Sequence, residues 1–167
     1  IIILESSVFY PLGGGQPGDT GTLSWGDHEA EVINTTINEA GEIQHILSEE
    51  SPIPKIGEIL TAAIDWKRRY LHMRMHTGLH LLGSVLQYGV TGGNISVSKS
   101  RLDFDMEEPV DKEKVAQDLI KLVDENHLIQ SKWISQKELR EQPELIRTMS
   151  VKPPSTCLLY TSDAADD

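Results

Sequence analysis

Asp65-Trp66-Lys67-Arg68-Arg69-Tyr70-Leu71-His72-Met73-Arg74-Met75-His76-Thr77-Gly78-Leu79-His80-Leu81-Leu82 separates two kinds of sequence in this chain. Leu71, Met75, Leu79, Leu82 and Leu86 recur at steps of three and four, the period of a helix that buries one stripe. Asp65 suits the N-cap and Gly89 the C-terminal stop. Within this helix His76 and His80 stand four residues apart. That spacing puts both rings on one face, where they can reach a single metal ion and supply half of a tetrahedral zinc set. The residue pattern alone leaves a second reading open, in which both rings pack, partly buried, beside Met75 and Leu79. The metalloprotease motif is excluded, because it needs Glu directly after the first His and Thr77 stands there. His72 lies one turn earlier on the same row. A solvent-facing or substrate-facing role is preferred for it over that of a third ligand.

Before residue 65 the sequence reads as short strands and turns. Residues 1–4 and 43–47 are strand-like, Leu23 and Trp25 alternate with polar neighbours, as do Ala30 and Val32, and a further strand covers 59–64. Turn residues recur between them, which predicts a small antiparallel barrel or curled sheet. After the histidine helix, residues 91–94 (Thr-Gly-Gly-Asn) break the chain, and 95–105 read as one or two strands. Pro109 and Asp111 open a second helix, with Val115, Leu119, Leu122 and Asn126 on one face. Residues 133–134 suit a short strand and 137–145 a turn of helix. The expected fold class is α+β. A glycine-rich β-domain, small and barrel-like, covers 1–64. An α+β domain with an antiparallel sheet and two main helices covers 65–155. Residues 156–167 lack periodicity and are expected to be a non-native tail that resembles translated adapter sequence. The first residue is not Met, so the chain is expected to be a truncated fragment.

The 167 residues are 38% hydrophobic and 25% charged, as in a soluble globular domain. No apolar run approaches the ~18 residues of a membrane span. The single cysteine cannot form an internal disulfide and fits a reducing compartment. A net charge of −11 argues against broad, non-specific binding to nucleic acid, which needs phosphate neutralisation. Local basic clusters remain, at Lys67, Arg68 and Arg69 and at Lys132, Lys137, Arg140, Arg147 and Lys152. From composition, ordinary solvated charge is the preferred reading of both.

Gly13-Gly14-Gly15-Gln16-Pro17-Gly18 formally fits the dinucleotide pattern G-x-G-x-x-G. The context fails, because no βαβ unit surrounds it and prolines flank it. A P-loop is also excluded, as no Gly-Lys-Ser/Thr follows. Glycines let a ligand approach the backbone closely, and Gln16 among them offers a donor and an acceptor. On physical grounds alone a hairpin loop with Gln16 in solvent is preferred.

Taken together, four blocks in one order carry more information than any of them singly. Residues 4–21, with Tyr10-Pro11-Leu12-Gly13-Gly14-Gly15-Gln16-Pro17-Gly18, resemble the glycine-rich motif of alanyl-tRNA editing domains. Asp65 to Arg69 and Met73 to Leu82 resemble their first zinc half-site. Arg101-Leu102-Asp103-Phe104-Asp105 is similar to the core strand that follows, and residues 147–154 resemble the segment leading to the second half-site. The chain thus resembles the freestanding alanyl-tRNA editing proteins (AlaX type), which are related to the editing domain of alanyl-tRNA synthetase and to the second additional domain of threonyl-tRNA synthetase. The resemblance implies a cytoplasmic trans-editing hydrolase that splits the ester of Ser-tRNA(Ala), and Gly-tRNA(Ala) as a further candidate. It implies zinc held by His76 and His80, and the acceptor end of tRNA(Ala) as partner. Gln16 matches the glutamine that lines the pocket. Ser7 stands where the family usually has Thr and would meet the mischarged side chain. Thr77 lies between the ligands, facing the pocket. Leu12 replaces a usually polar residue.

The most serious departure from the family is in the second half-site. The second half-site is Cys-x-x-x-His, but Cys157 is followed by Thr161 and no histidine occurs after His127. The chain as written is therefore expected to bind zinc poorly and deacylate little. Two alternatives follow: an editing-domain fragment of alanyl-tRNA synthetase, or a zinc-less, non-catalytic tRNA-binding module. An unrelated zinc enzyme is disfavoured by the glycine motif.

Overall fold

A computed structural model describes residues 1–128, 130–142 and 159–163. In chain order the elements are β1 (Ile2–Ile3), β2 (Gly21–Trp25), β3 (His28–Ile37), β4 (Ile43–Leu47), β5 (Thr61–Ile64), α1 (Trp66–Val85), β6 (Val90–Asn94), β7 (Arg101–Phe104), α2 (Lys112–Glu125), β8 (Gln130–Ile134), α3 (Gln136–Glu141) and β9 (Leu159–Asp163). Mixed α+β is the fold class, as the sequence implied.

The chain forms two compact units. The first comprises Ile1–His76 and Asn94–Ser100. Its frame is a five-stranded sheet in the order β1-β4-β3-β2-β5, with every neighbouring pair antiparallel. Strands β2 and β3 form a hairpin from Gly21↔Val32 to Trp25↔His28. A register shift between Val32 and Asn34 marks a bulge in β3. An extra residue reverses which alternate side chains point inward. Accordingly Ala30 and Val32 are buried before the bulge and Thr35 after it, while Ile33 is exposed. Phe9, Leu23 and Val32 form the core, with Ile2, Leu4, Leu47, Leu60, Ala62 and Ile64 packed around them. The expected barrel does not close: β1 and β5 are the edges of an open sheet. With only two residues in β1 and four in β5, the edges are too short to wrap and pair.

Asp65 caps α1 as expected, its carboxylate accepting the Arg68 N–H at 3.0 Å. The helix ends at Val85, ahead of Gly89, which has no positive φ. The composition changes at Asp65, where helix replaces strand, whereas the first packing unit continues to His76.

The second unit comprises Thr77–Gly93 and Arg101–Asp167. The stretch read as a chain break at residues 91–94 is instead strand β6, paired with β7. Its glycines serve close approach: a Cβ on Gly93 would meet the Arg101 carbonyl at 3.0 Å and Leu102 Cδ1 at 3.2 Å. Helix α2 starts at Asp111, whose carboxylate accepts the N–H groups of Glu113 and Lys114. Asn126, expected on the apolar face, is its left-handed C-cap with φ 50°. Helix α3 opens with a capping box between Ser135 and Glu138. Strands β8 and β9 pair antiparallel from Gln130↔Asp163 to Ile134↔Leu159, so the segment expected to be foreign contributes a strand. Cys157, Arg147, Lys152 and the block 147–154 lie outside the described residues. Among the described residues, no helix is long and apolar enough to cross a membrane.

Candidate functional site

The glycine stretch folds back on itself as a two-residue turn. Gly13 and Gln16 exchange both backbone hydrogen bonds, at 3.1 and 2.9 Å. Gly14 and Gly15 between them have φ values of 57° and 77°. Positive φ at both central positions is the signature of a type I′ turn, which glycine adopts without strain. The turn carries Gln16 into the protein, where only 3% of the residue is exposed. The solvent-facing reading of Gln16 is therefore corrected.

Its partner is His76. The imidazole Nδ1 lies 3.1 Å from Gln16 Oε1. A carbonyl oxygen can only accept, so Nδ1 carries the proton and donates it to Gln16, which leaves Nε2 as the basic nitrogen of the neutral ring. Histidines that bind metals are usually oriented in this way, by an acceptor on the far nitrogen. In this respect His76 fits a zinc ligand. A Cβ on Gly14 would lie 3.9 Å from the His76 ring, at ordinary van der Waals distance, so the turn lies directly beside the imidazole.

A buried ion pair fixes the loop to the helix. Asp19 is 1% exposed. Arg69 Nε donates to both of its oxygens, at 2.9 and 2.8 Å, and Arg69 Nη2 adds a further contact to Oδ2. The Tyr10 N–H donates to the same carboxylate at 2.8 Å, and the Thr35 hydroxyl donates to the Asp19 carbonyl at 2.9 Å. Arg68 donates to the Gly18 carbonyl at 2.7 Å. Two of the three cations read from sequence as a surface cluster thus turn inward and hold the glycine loop. The Arg69 guanidinium also lies 5.5 Å from the centre of the Tyr10 ring, whose hydroxyl donates to the Gly13 carbonyl at 3.1 Å. Burial raises the Tyr10 pKa above its ordinary value, opposed by the nearby Arg69.

Ser7 has a partner that sequence reasoning missed. His45, fully buried in β4, lies with Nε2 2.7 Å from Ser7 Oγ and Nδ1 3.1 Å from the Ile2 carbonyl. The carbonyl fixes the proton on Nδ1, so the Ser7 hydroxyl donates to Nε2. Ser7 Oγ in turn accepts the Phe9 N–H at 3.1 Å. Burial lowers the His45 pKa, against the bond to Ile2. A histidine on an alternating strand gives no sign of such a contact until the strand order is known.

His72 is likewise buried, at 2% exposure, which corrects the solvent-facing reading. Its Nδ1 has no hydrogen-bond partner among the described residues. Burial, then the positive charge of Arg68, lowers its pKa. Thr77 and His80 follow His76 along α1, in the second unit; Thr77 is half-buried and His80 exposed. Among the described residues, no group of three or more His, Cys, Asp or Glu side chains is arranged to hold a metal.

Comparison with known proteins gives one answer from several directions. The family profile of class II tRNA synthetases (A) matches residues 1–68. The alanyl-tRNA editing protein AlaX-M of Methanosarcina mazei is 35% identical over 165 residues, covering 89% of this chain and 64% of that protein. AlaX-M of Pyrococcus horikoshii is 36% identical over 141 residues, covering 79% of this chain and 63% of that protein. The chain is thus similar, over most of its own length, to alanyl-tRNA editing proteins and to part of alanine–tRNA ligases. An alanine–tRNA ligase of Ignicoccus hospitalis is 33% identical over 147 residues, 82% of this chain but only 16% of that enzyme. The chain spans slightly less than two thirds of the length of the editing proteins it matches. The resemblance drawn from the glycine turn and the histidine helix is borne out at the level of the family.

Proposed function

We propose that the protein carrying this sequence is a trans-editing hydrolase that removes serine from mischarged Ser-tRNA(Ala). The observation that carries this reading is the buried Gln16, held by a glycine turn and bonded to His76, in a chain related to alanyl-tRNA editing proteins. The freestanding form is favoured on identity, 35% and 36% to two editing proteins against 33% to a ligase.

In the reaction, water attacks the ester carbonyl carbon, the bond from that carbon to the ribose oxygen breaks, and serine and tRNA(Ala) separate. An aminoacyl ester is already activated, so modest assistance suffices. His76 and His80, four apart on α1, would hold zinc, which when bound polarises a carbonyl or lowers the pKa of water. Gln16 fixes the ring of His76 and the tautomer it presents. Ser7 offers its oxygen to the side chain of the misattached serine, since its own proton is committed to His45. Thr77 would line the pocket between the two histidines. Such a site supplies discrimination that one hydroxyl cannot provide at a synthetic site.

The test is hydrolysis of Ser-tRNA(Ala) against Ala-tRNA(Ala) by the full-length protein, with bound zinc measured alongside. Faster loss of serine in a zinc-containing protein supports the reading. Tight tRNA binding with no hydrolysis and no zinc would replace it with a non-catalytic binding module.

A further inference from the structure

We propose that the outward face of the first turns of α1 is a stacking platform for unpaired RNA bases, built from Trp66, Tyr70 and Arg74 with Lys67 beside them. The three residues recur at four-residue steps and so form one row along the helix. Trp66 and Tyr70 stack with ring centres 6.3 Å apart and planes 28° from parallel. The Arg74 guanidinium continues the row, 5.9 Å from the centre of the Tyr70 ring. Trp66 is 59% exposed and Tyr70 50%. Two large aromatic rings left side by side in water mark a surface with a partner.

The charge around the row identifies that partner. Arg68 and Arg69, from the same basic run, are directed inward onto Gly18 and Asp19. Lys67 and Arg74 are exposed, and neither forms an ion pair among the described residues. In a chain of net charge −11, a row of aromatic planes flanked by unneutralised cations suits nucleobases strung on phosphates. Every base offers a π-face for stacking, and the cations meet the backbone. A duplex hides its bases, so the ligand is single-stranded RNA. This rests on the tRNA reading above, where the unpaired strand would be the 3′ end of the acceptor.

The experiment uses the full chain and two RNA hairpins that carry no amino acid, one blunt and one with a short unpaired 3′ tail, followed by fluorescence anisotropy. Because no ester is present, binding is read independently of hydrolysis. The tailed hairpin is expected to bind more tightly than the blunt one. Trp66→Ala and Tyr70→Ala should each weaken it by about 5- to 150-fold, the range for loss of one base–aromatic stack, while Trp66→Phe stays within about twofold. Lys67→Gln should reduce the slope of log affinity against log salt by about 1. Equal binding of the two hairpins, unchanged affinity in Trp66→Ala, or preference for an acidic peptide over RNA would overturn the platform. A Gln16→Ala protein that loses hydrolysis but still binds the tailed hairpin would support the platform, whereas failure of hydrolysis in the wild type bears on the editing reading alone.

Discussion

Asp19–Arg69 and Lys114–Asp118 are both pairs of a carboxylate and a cation, yet their surroundings make them different interactions. Asp19 has a side chain 1% exposed, and its oxygens also accept a backbone N–H. The Lys114–Asp118 pair spans 3.4 Å between side chains 72% and 46% exposed. On α2 the solvent screens the charges, and the helix, none of whose residues is buried, relies on its Asp111 and Asn126 caps. At the glycine loop the ion pair ties a segment of irregular backbone to α1. The charged residues near the candidate site thus hold geometry, and those on α2 hold little.

Removing one partner of each pair tests this contrast. Asp19→Ala leaves Arg69 with its charge uncompensated, and a loss of about 3–5 kcal/mol is expected from urea denaturation. A loss below about 1 kcal/mol would place Asp19 with the surface pairs. Gly18→Ala should come next. A Cβ there would lie 1.9 Å from the Thr35 carbonyl, and relieving such a backbone clash is expected to lower stability by about 1–3 kcal/mol. The nearby Gln16–His76 contact should loosen as well, visible in the His76 ring signals.

The pH dependence is third. His45 and His72 are held below the ordinary histidine pKa by burial. The unfolded chain takes up protons near pH 6.5, while the folded chain still resists. The stability these rings provide is therefore complete above about pH 6.5 and drains as pH falls below it. Thermal melts between pH 8 and 5 should show the decline, and His45→Gln should flatten part of it; a melting temperature that rises on acidification would contradict the assignment. Smallest of all, Lys114→Ala should change stability by no more than about 0.5 kcal/mol.

The helix, its Asp65 cap and the hairpin strands were legible because each is written in local sequence. The apolar stripe from Leu71 to Leu86 and the alternation around Leu23 and Val32 need no knowledge of neighbours. Burial of Gln16 was not legible, because its partner His76 stands 60 residues away. For the same reason Ser7 gave no hint of His45, and Arg68 and Arg69 looked like surface charge until the glycine loop was seen beneath them. Residues 91–94 read locally as a break because two glycines signal a turn, and as a close strand pairing only in the context of β7. The ordered motifs compensated, since together they pointed to the family where each alone was ambiguous.

The Gln16–His76 contact joins the glycine turn to the histidine helix. Its most direct test is the rate of Ser-tRNA(Ala) hydrolysis by the full-length protein and its Gln16→Ala variant, both with zinc supplied. If Gln16 orients His76, the variant should lose about 10- to 100-fold in rate or in zinc affinity, the usual effect of removing a partner that holds a metal ligand. An unchanged rate and unchanged zinc affinity would contradict it.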